Sequence, residues 1–92
     1  MEKLIITVIG RDRVGILAQV CSYLARAGVN ILDISQTITG GYFNMMMVAD
    51  ASSSPRDFGR LVADLAKIGR KIGLQIGCQK AEIFEKICQS RF

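Results

Sequence analysis

The run Lys3-Leu4-Ile5-Ile6-Thr7-Val8-Ile9 is apolar at odd and even positions alike and rich in β-branched residues. Successive strand residues point to opposite faces, so a strand of this composition must be covered on both sides and belongs in the middle of a sheet. The rest of the chain must therefore supply neighbours for both edges of this strand and layers for both of its faces.

The next segments do so in a fixed order. Gly10-Arg11-Asp12-Arg13-Val14-Gly15 breaks the alternation, and from there Ile16, Leu17, Val20, Leu24 and Ala27 recur at helical spacing until Gly28 supplies a left-handed stop. From Asn30 to Thr39 the pattern alternates again, with Leu32, Ile34 and Ile38 on one face and Asp33, Ser35, Thr37 and Thr39 on the other. Gly40-Gly41 is a two-residue hairpin signal, and Tyr42 to Ala49 is the returning strand. Ser54-Pro55-Arg56-Asp57 reads as an N-cap, a proline at the first helical position and an acid at the third, followed by Phe58, Leu61, Val62, Leu65, Ile68 and Ile72. Gly73 ends that helix behind the dipole-matched Lys67, Arg70 and Lys71. Leu74, Ile76 and Cys78 alternate as a fourth strand, and Ile83, Phe84, Ile87 and Cys88 form a stripe on a terminal helix spanning Glu82 to Gln89.

The order βαββαβ with right-handed crossovers predicts an α+β, ferredoxin-like sandwich: a four-stranded antiparallel sheet with two helices on one face, plus a short C-terminal helix. With one proline and no linker, the 92 residues make a single domain, its core over about 3–80 and a helical extension over about 81–92. Because Ile5 and Ile9 face away from Leu4, Ile6 and Val8, the second sheet face needs a cover, which predicts a homodimer or higher homo-oligomer. The terminal stripe is expected to dock on that sheet or on a partner copy. A hydrophobic content of 50% and a mean hydropathy of +0.31 agree with some apolar surface being spent on an interface.

Composition narrows function by what it lacks. The chain has no histidine, which removes the usual general base and the commonest metal ligand. Asp12, Asp33 and Asp50 fall where turns and caps account for them, so the residues point away from an enzyme. Cys21, Cys78 and Cys88 are widely spaced with no Cys-x-x-Cys, which suggests reduced thiols, no metal and no cofactor. The net charge of +4 is dispersed, and the Met45-Met46-Met47 run at strand spacing reads as core or interface filler. No run approaches a membrane span and the N-terminal apolar run is too short for a signal peptide, so the expected location is cytoplasmic. The strand at Lys3 to Ile9 offers no stacking aromatics, and Tyr42 and Phe43 point to opposite faces, so neither nucleic acid nor membrane is an expected partner.

The segment Arg11 to Gly15 is the candidate site. It joins a central strand to a helix start, where unpaired N–H groups and the positive dipole end suit a carboxylate or phosphate. Arg11 and Arg13 add positive charge, and Asp12 can receive a ligand ammonium. The plainer reading is an ordinary strand-to-helix turn with Asp12 as its N-cap.

Asp12-Arg13-Val14-Gly15-Ile16-Leu17-Ala18-Gln19-Val20, followed by Leu24-Ala25-Arg26-Ala27-Gly28-Val29-Asn30-Ile31, resembles the ACT-domain signature. That signature is an acidic-basic-Pro-Gly turn, an aliphatic helix, and a Gly-aliphatic-Asn-Ile lead into the second strand. The likeness runs in element order from Leu4 to about Lys80, with Val14 standing where the family usually has Pro. The chain is similar to the small stand-alone bacterial and archaeal ACT proteins and to the ACT modules of the glycine cleavage system repressor. The resemblance implies a regulatory domain that binds a small molecule, typically an amino acid, at the turn from the first strand to the first helix, near a dimer interface. By position, Asp12, Arg13, Val14 and Gly15 would form the turn, and Asn30 with Ile31 would lie across the interface; capping of the strand start explains Asn30 equally well. The effector would be an unidentified partner protein. An acylphosphatase-like enzyme shares the topology and a glycine-containing loop that cradles phosphate, and Arg13 with Asn44 are its candidate residues here.

Overall fold

A computed structural model describes residues 1–90, with side chains described through Ile87. The elements are β1 (Lys3–Arg11), α1 (Ile16–Arg26), β2 (Asn30–Thr39), β3 (Tyr42–Asp50), α2 (Phe58–Ile72), β4 (Leu74–Lys80) and α3 (Ala81–Ser90). They form one antiparallel sheet in the order β2-β3-β1-β4. This is the expected βαββαβ arrangement with its terminal helix, and the two-sided apolar strand β1 lies inside it, paired with β3 and β4.

Registers fix which residues share a face. Leu4, Ile6 and Val8 stand opposite Ala49, Met47 and Met45 on β3, and Ile6 opposite Cys78 on β4. All of these are buried, together with Val20 and Leu24 of α1 and Leu61 and Leu65 of α2, in a single core between sheet and helices. Met46, between two buried methionines, is exposed on the opposite face, so the methionine run fills the core at alternate positions. No polar or charged side chain is buried among the described residues.

Two local expectations change. The strand β2 carries a bulge between Ile31 and Asp33, because Ile31 pairs with Ala49 and Asp33 with Val48. The extra residue moves Leu32 out of the alternation: Ile31 packs on the core, and after the bulge Ile34 and Ile38 share that side. The helix α2 begins after Asp57, whose carboxylate accepts the Arg60 N–H at 2.7 Å. Ser54 is not the cap, because its hydroxyl donates to the Ala27 carbonyl at 2.5 Å and accepts the Arg56 N–H, which ties the preceding loop to the end of α1.

The helices are joined by a polar link. Tyr23 on α1 donates its hydroxyl to Asp64 on α2 at 2.6 Å, while Arg60 and Arg56 pair with the same carboxylate at 3.0 and 3.3 Å. The Tyr23 hydrogen bond, then the arginines, hold the Asp64 carboxyl below its usual range, and burial followed by that same hydrogen bond pushes the Tyr23 phenol up.

The remaining sheet face is partly covered by α3, which packs against β1 and β4. Ile5 points to this side, stands outside the main core cluster, and is only 9% exposed. Ile83 and Ile87 of α3 are about half exposed and Phe84 is half-buried, so the terminal stripe docks on its own sheet in part only. The Cys88 side chain and residues 91–92 lie outside the described residues. Ending the chain after Lys80 should expose Ile5 and lower the melting temperature; an unchanged thermal transition would show α3 to be dispensable.

Where α2 turns back into β4 the two approach closely at Gly69. A Cβ there would sit 2.7 Å from the Leu74 carbonyl oxygen and 3.2 Å from Ile76. Glycine to alanine in a helix interior ordinarily stabilises, by about 1 kcal/mol. At this position the backbone contact should reverse the sign, and urea unfolding of Gly69→Ala should show a loss of about 1–3 kcal/mol.

Candidate functional site

The turn leaves β1 at its central-sheet end. Gly10 has no side chain where Leu74 packs across it, so the strand continues under β4 to Arg11, which pairs with Tyr42. The Asp12 N–H then donates to the Gly41 carbonyl at 3.0 Å, pinning the turn to the β2–β3 hairpin, whose Gly40 and Gly41 both have positive φ. Arg13 reaches the other way: its Nη1 donates at 2.8 Å to the Ile72 carbonyl at the end of α2. A cation at a helix C-terminus satisfies an orphan carbonyl and suits the dipole. Val14 is fully exposed, and Gly15, at φ 89°, takes the N-cap position of α1.

The cap residue is thus Gly15, not Asp12, and it offers no side-chain oxygen. The first helical bond runs from the Gln19 N–H to the Gly15 carbonyl, which leaves the N–H groups of Ile16, Leu17 and Ala18 directed out of the helix end. Nothing lies within 4 Å of where a Gly15 Cβ would be, so the cap position itself faces open space. The positive φ demands glycine whatever the space. Chemically, the arrangement is an uncapped positive helix end beside the exposed charges of Arg11 and Asp12, suited to a small zwitterion or anion.

The structure brings together five of the sequence-derived residues, Arg11 to Gly15, and separates the other two. At one end of the sheet Arg11, Tyr42 and Thr39 stand side by side; at the other, Lys3, Asp50 and Asn30 do. Asn30 and Ile31 lie roughly 25 Å from the turn along the strands of the same chain, given about 3.3 Å per strand residue. Asn30 is exposed and Ile31 is half-buried against the core. Sequence reasoning missed the two carbonyls that fix the turn, those of Gly41 and Ile72. The double-glycine hairpin announced the first; the second depends on how α2 ends against the turn, which no local pattern carries.

The acylphosphatase-like pair is not assembled. Asn44 stands opposite Ile9 on the sheet face away from α1 and α2, while Arg13 is bound to the α2 terminus. Among the described residues no cluster of three metal-binding side chains occurs, and burial pushes the Cys78 thiol up to about 11, which keeps it protonated near neutrality.

Comparison with known proteins gives concordant results. The family model for the ACT domain matches residues 2–79. A UPF0237 protein of Bifidobacterium longum is 55% identical over 87 residues, covering 95% of this chain and 97% of that protein. The structure of an ACT domain protein from Streptococcus pneumoniae superposes with a TM-score of 0.81 at 43% identity, over 91% of this chain and 94% of that one. A protein assigned as a glycine cleavage system transcriptional repressor matches with a TM-score of 0.76 at 29% identity, over 86% of this chain and 45% of the other.

The tether from Arg13 should be measurable on its own. Arg13→Ala leaves the Ile72 carbonyl without its charged donor and should cost about 1–2 kcal/mol in urea unfolding. Equal stability of variant and parent would mean that water replaces the guanidinium at no cost.

Proposed function

This chain belongs to the ACT-domain family, a regulatory small-ligand-binding fold, and on that premise we propose that it is a non-catalytic sensor of an amino acid, held at the β1–α1 turn where two copies meet. The observation that carries the reading is the uncapped start of α1 behind Gly15, with its outward N–H groups and no atom crowding the cap position. The ligand carboxylate takes those N–H groups, and Asp12 accepts the ammonium. Arg11 contributes long-range attraction, and Arg13 positions the turn through α2.

The distance of Asn30 from the turn supports a shared site. The strand β2 is an edge of the sheet, with one row of backbone groups unpaired. Antiparallel pairing of β2 with its copy about a two-fold axis places the Asn30 end of one chain beside the Thr39 end of the other, at the end of the sheet where that chain's turn lies, about three strand spacings away. Asn30 and Ile31 then lie nearer the neighbour's turn than their own. Side-by-side pairing also covers Ile34 and Ile38, which are exposed on β2 at 38% and 61%. A cytoplasmic location suits the free thiols Cys21 and Cys78, and no described helix is long and apolar enough to cross a membrane.

A thermal-shift panel of the amino acids should raise the melting temperature with one or a few of them, since ligand at 100 times its Kd stabilises by about 2.7 kcal/mol. No shift with any member would overturn the amino-acid reading. Gly15→Ala and Gly15→Asp share the positive-φ strain, but only the second places a carboxylate before the helix end. Calorimetry should therefore find binding lost in Gly15→Asp and weakened in Gly15→Ala. Parental affinity in a folded Gly15→Asp would move the site away from this turn.

A further inference from the structure

The chain's net charge is concentrated on one layer. The helices α1 and α2 carry Arg26, Arg60, Lys67, Arg70 and Lys71 against a single acid, Asp64, which equals the +4 of the whole sequence; the charges in the rest of the sequence balance to zero. Asp64 is already engaged by Tyr23, Arg56 and Arg60. Among the described residues Arg26, Lys67, Arg70 and Lys71 are exposed and have no carboxylate partner.

These cations border a groove. Between the two helices runs a depression lined by Ala18, Gln19, Ser22, Arg26, Ile68 and Lys71. Ala18, Ser22 and Arg26 recur every four residues along α1 and so form one ridge, while Ile68 is half-buried at the floor. Apart from Gln19 the uncharged lining is small or apolar, both charged members are positive, and no acid enters. Lys67, one turn before Lys71, extends the positive rim along α2.

We propose that this α1–α2 groove is a docking surface for an acidic amphipathic helix of a partner protein, with apolar side chains on Ala18 and Ile68 and carboxylates reaching Arg26, Lys67 and Lys71. A helix laid between two helices buries its apolar stripe in such a groove, and charge complementarity sets its approach and register. The alternative polyanion, a nucleic acid, finds little here: the groove holds no aromatic side chain, and Tyr23, the one aromatic of α1, is buried with its hydroxyl committed to Asp64. The proposal is independent of the ligand at the β1–α1 turn, which lies outside the groove.

The test uses the full chain and three labelled probes in fluorescence anisotropy: a synthetic helix of alternating Leu and Glu faces, poly-glutamate of equal charge, and a single-stranded oligonucleotide of equal charge. The amphipathic helix should bind, weaken as salt rises, and lose about 10-fold or more in affinity in the double variant Arg26→Glu with Lys71→Glu. Both positions lie in the last turns of their helices, where Glu also opposes the dipole, so the variant should melt somewhat below the parent yet remain folded at the assay temperature; Ser22→Glu, placing a like charge in the same groove away from a helix end, should weaken the helix probe likewise. Amide shifts on adding the helix should map to Ala18, Ser22 and Ile68. Equal binding of poly-glutamate would reduce the surface to unspecific attraction, tighter binding of the oligonucleotide would assign it to nucleic acid, and unaltered affinity in the charge-reversed variants would place the contact elsewhere; each of these overturns the proposal.

Discussion

The fold depends on β1 being held between two antiparallel neighbours with apolar side chains on both of its faces. Nine residues of β1 pair with β3 and seven with β4. One face supplies Leu4, Ile6 and Val8 to the core, and the other presents Ile5 to α3. Backbone donors in the centre of a sheet have no water to turn to, so this strand cannot slip by one residue without exchanging its core face for its outer face. The turn that follows inherits this rigidity, because Arg11 is still in register with Tyr42 and Asp12 is bonded to Gly41. A mobile linker is thereby excluded at the one place where the first helix leaves its N–H groups unpaired.

Most of this architecture could be read from periodicity. The change from alternation to helical spacing at Ile16, the glycine pair at 40 and 41, and the glycine after Ile72 located elements within a residue or two, since each is a local consequence of backbone geometry. The misreadings share a cause. Ser54 and Asp57 are both good capping residues, and the choice between them was decided by a tertiary acceptor, the Ala27 carbonyl, that claims the Ser54 hydroxyl. Alternation through Leu32 looked unbroken because a bulge is defined by what stands opposite, and Val48 and Ala49 are not neighbours in sequence. For the candidate site, Arg11 to Gly15 was legible as a unit because it is contiguous. The relation of Asn30 to it was not, since only strand registers reveal that the two occupy opposite ends of the sheet.

The interior contributes stability and no chemistry. Without a buried polar or charged side chain among the described residues, the specific polar contacts that shape the molecule are at the rim, among them those at the turn, at the helix termini, around Ser52 and between the helices at Asp64. A protein of this kind can change its recognition properties by substitution at the rim while the core stays constant. That division is in keeping with a fold found both alone, as in the Streptococcus pneumoniae protein, and as part of a longer chain, as in the repressor.

The hydrogen bond from Arg13 to the Ile72 carbonyl spans 59 positions of sequence and joins the turn that leads into one helix to the last turn of the other. Helix ends normally fray independently, each on its own nanosecond timescale. Here fraying of α2 at Ile72 requires release of Arg13, and any displacement of the Arg11–Gly15 backbone pulls on the same carbonyl. The two termini therefore share a single opening event, and amide hydrogen exchange in the final turn of α2 becomes a remote gauge of how tightly the β1–α1 turn is held.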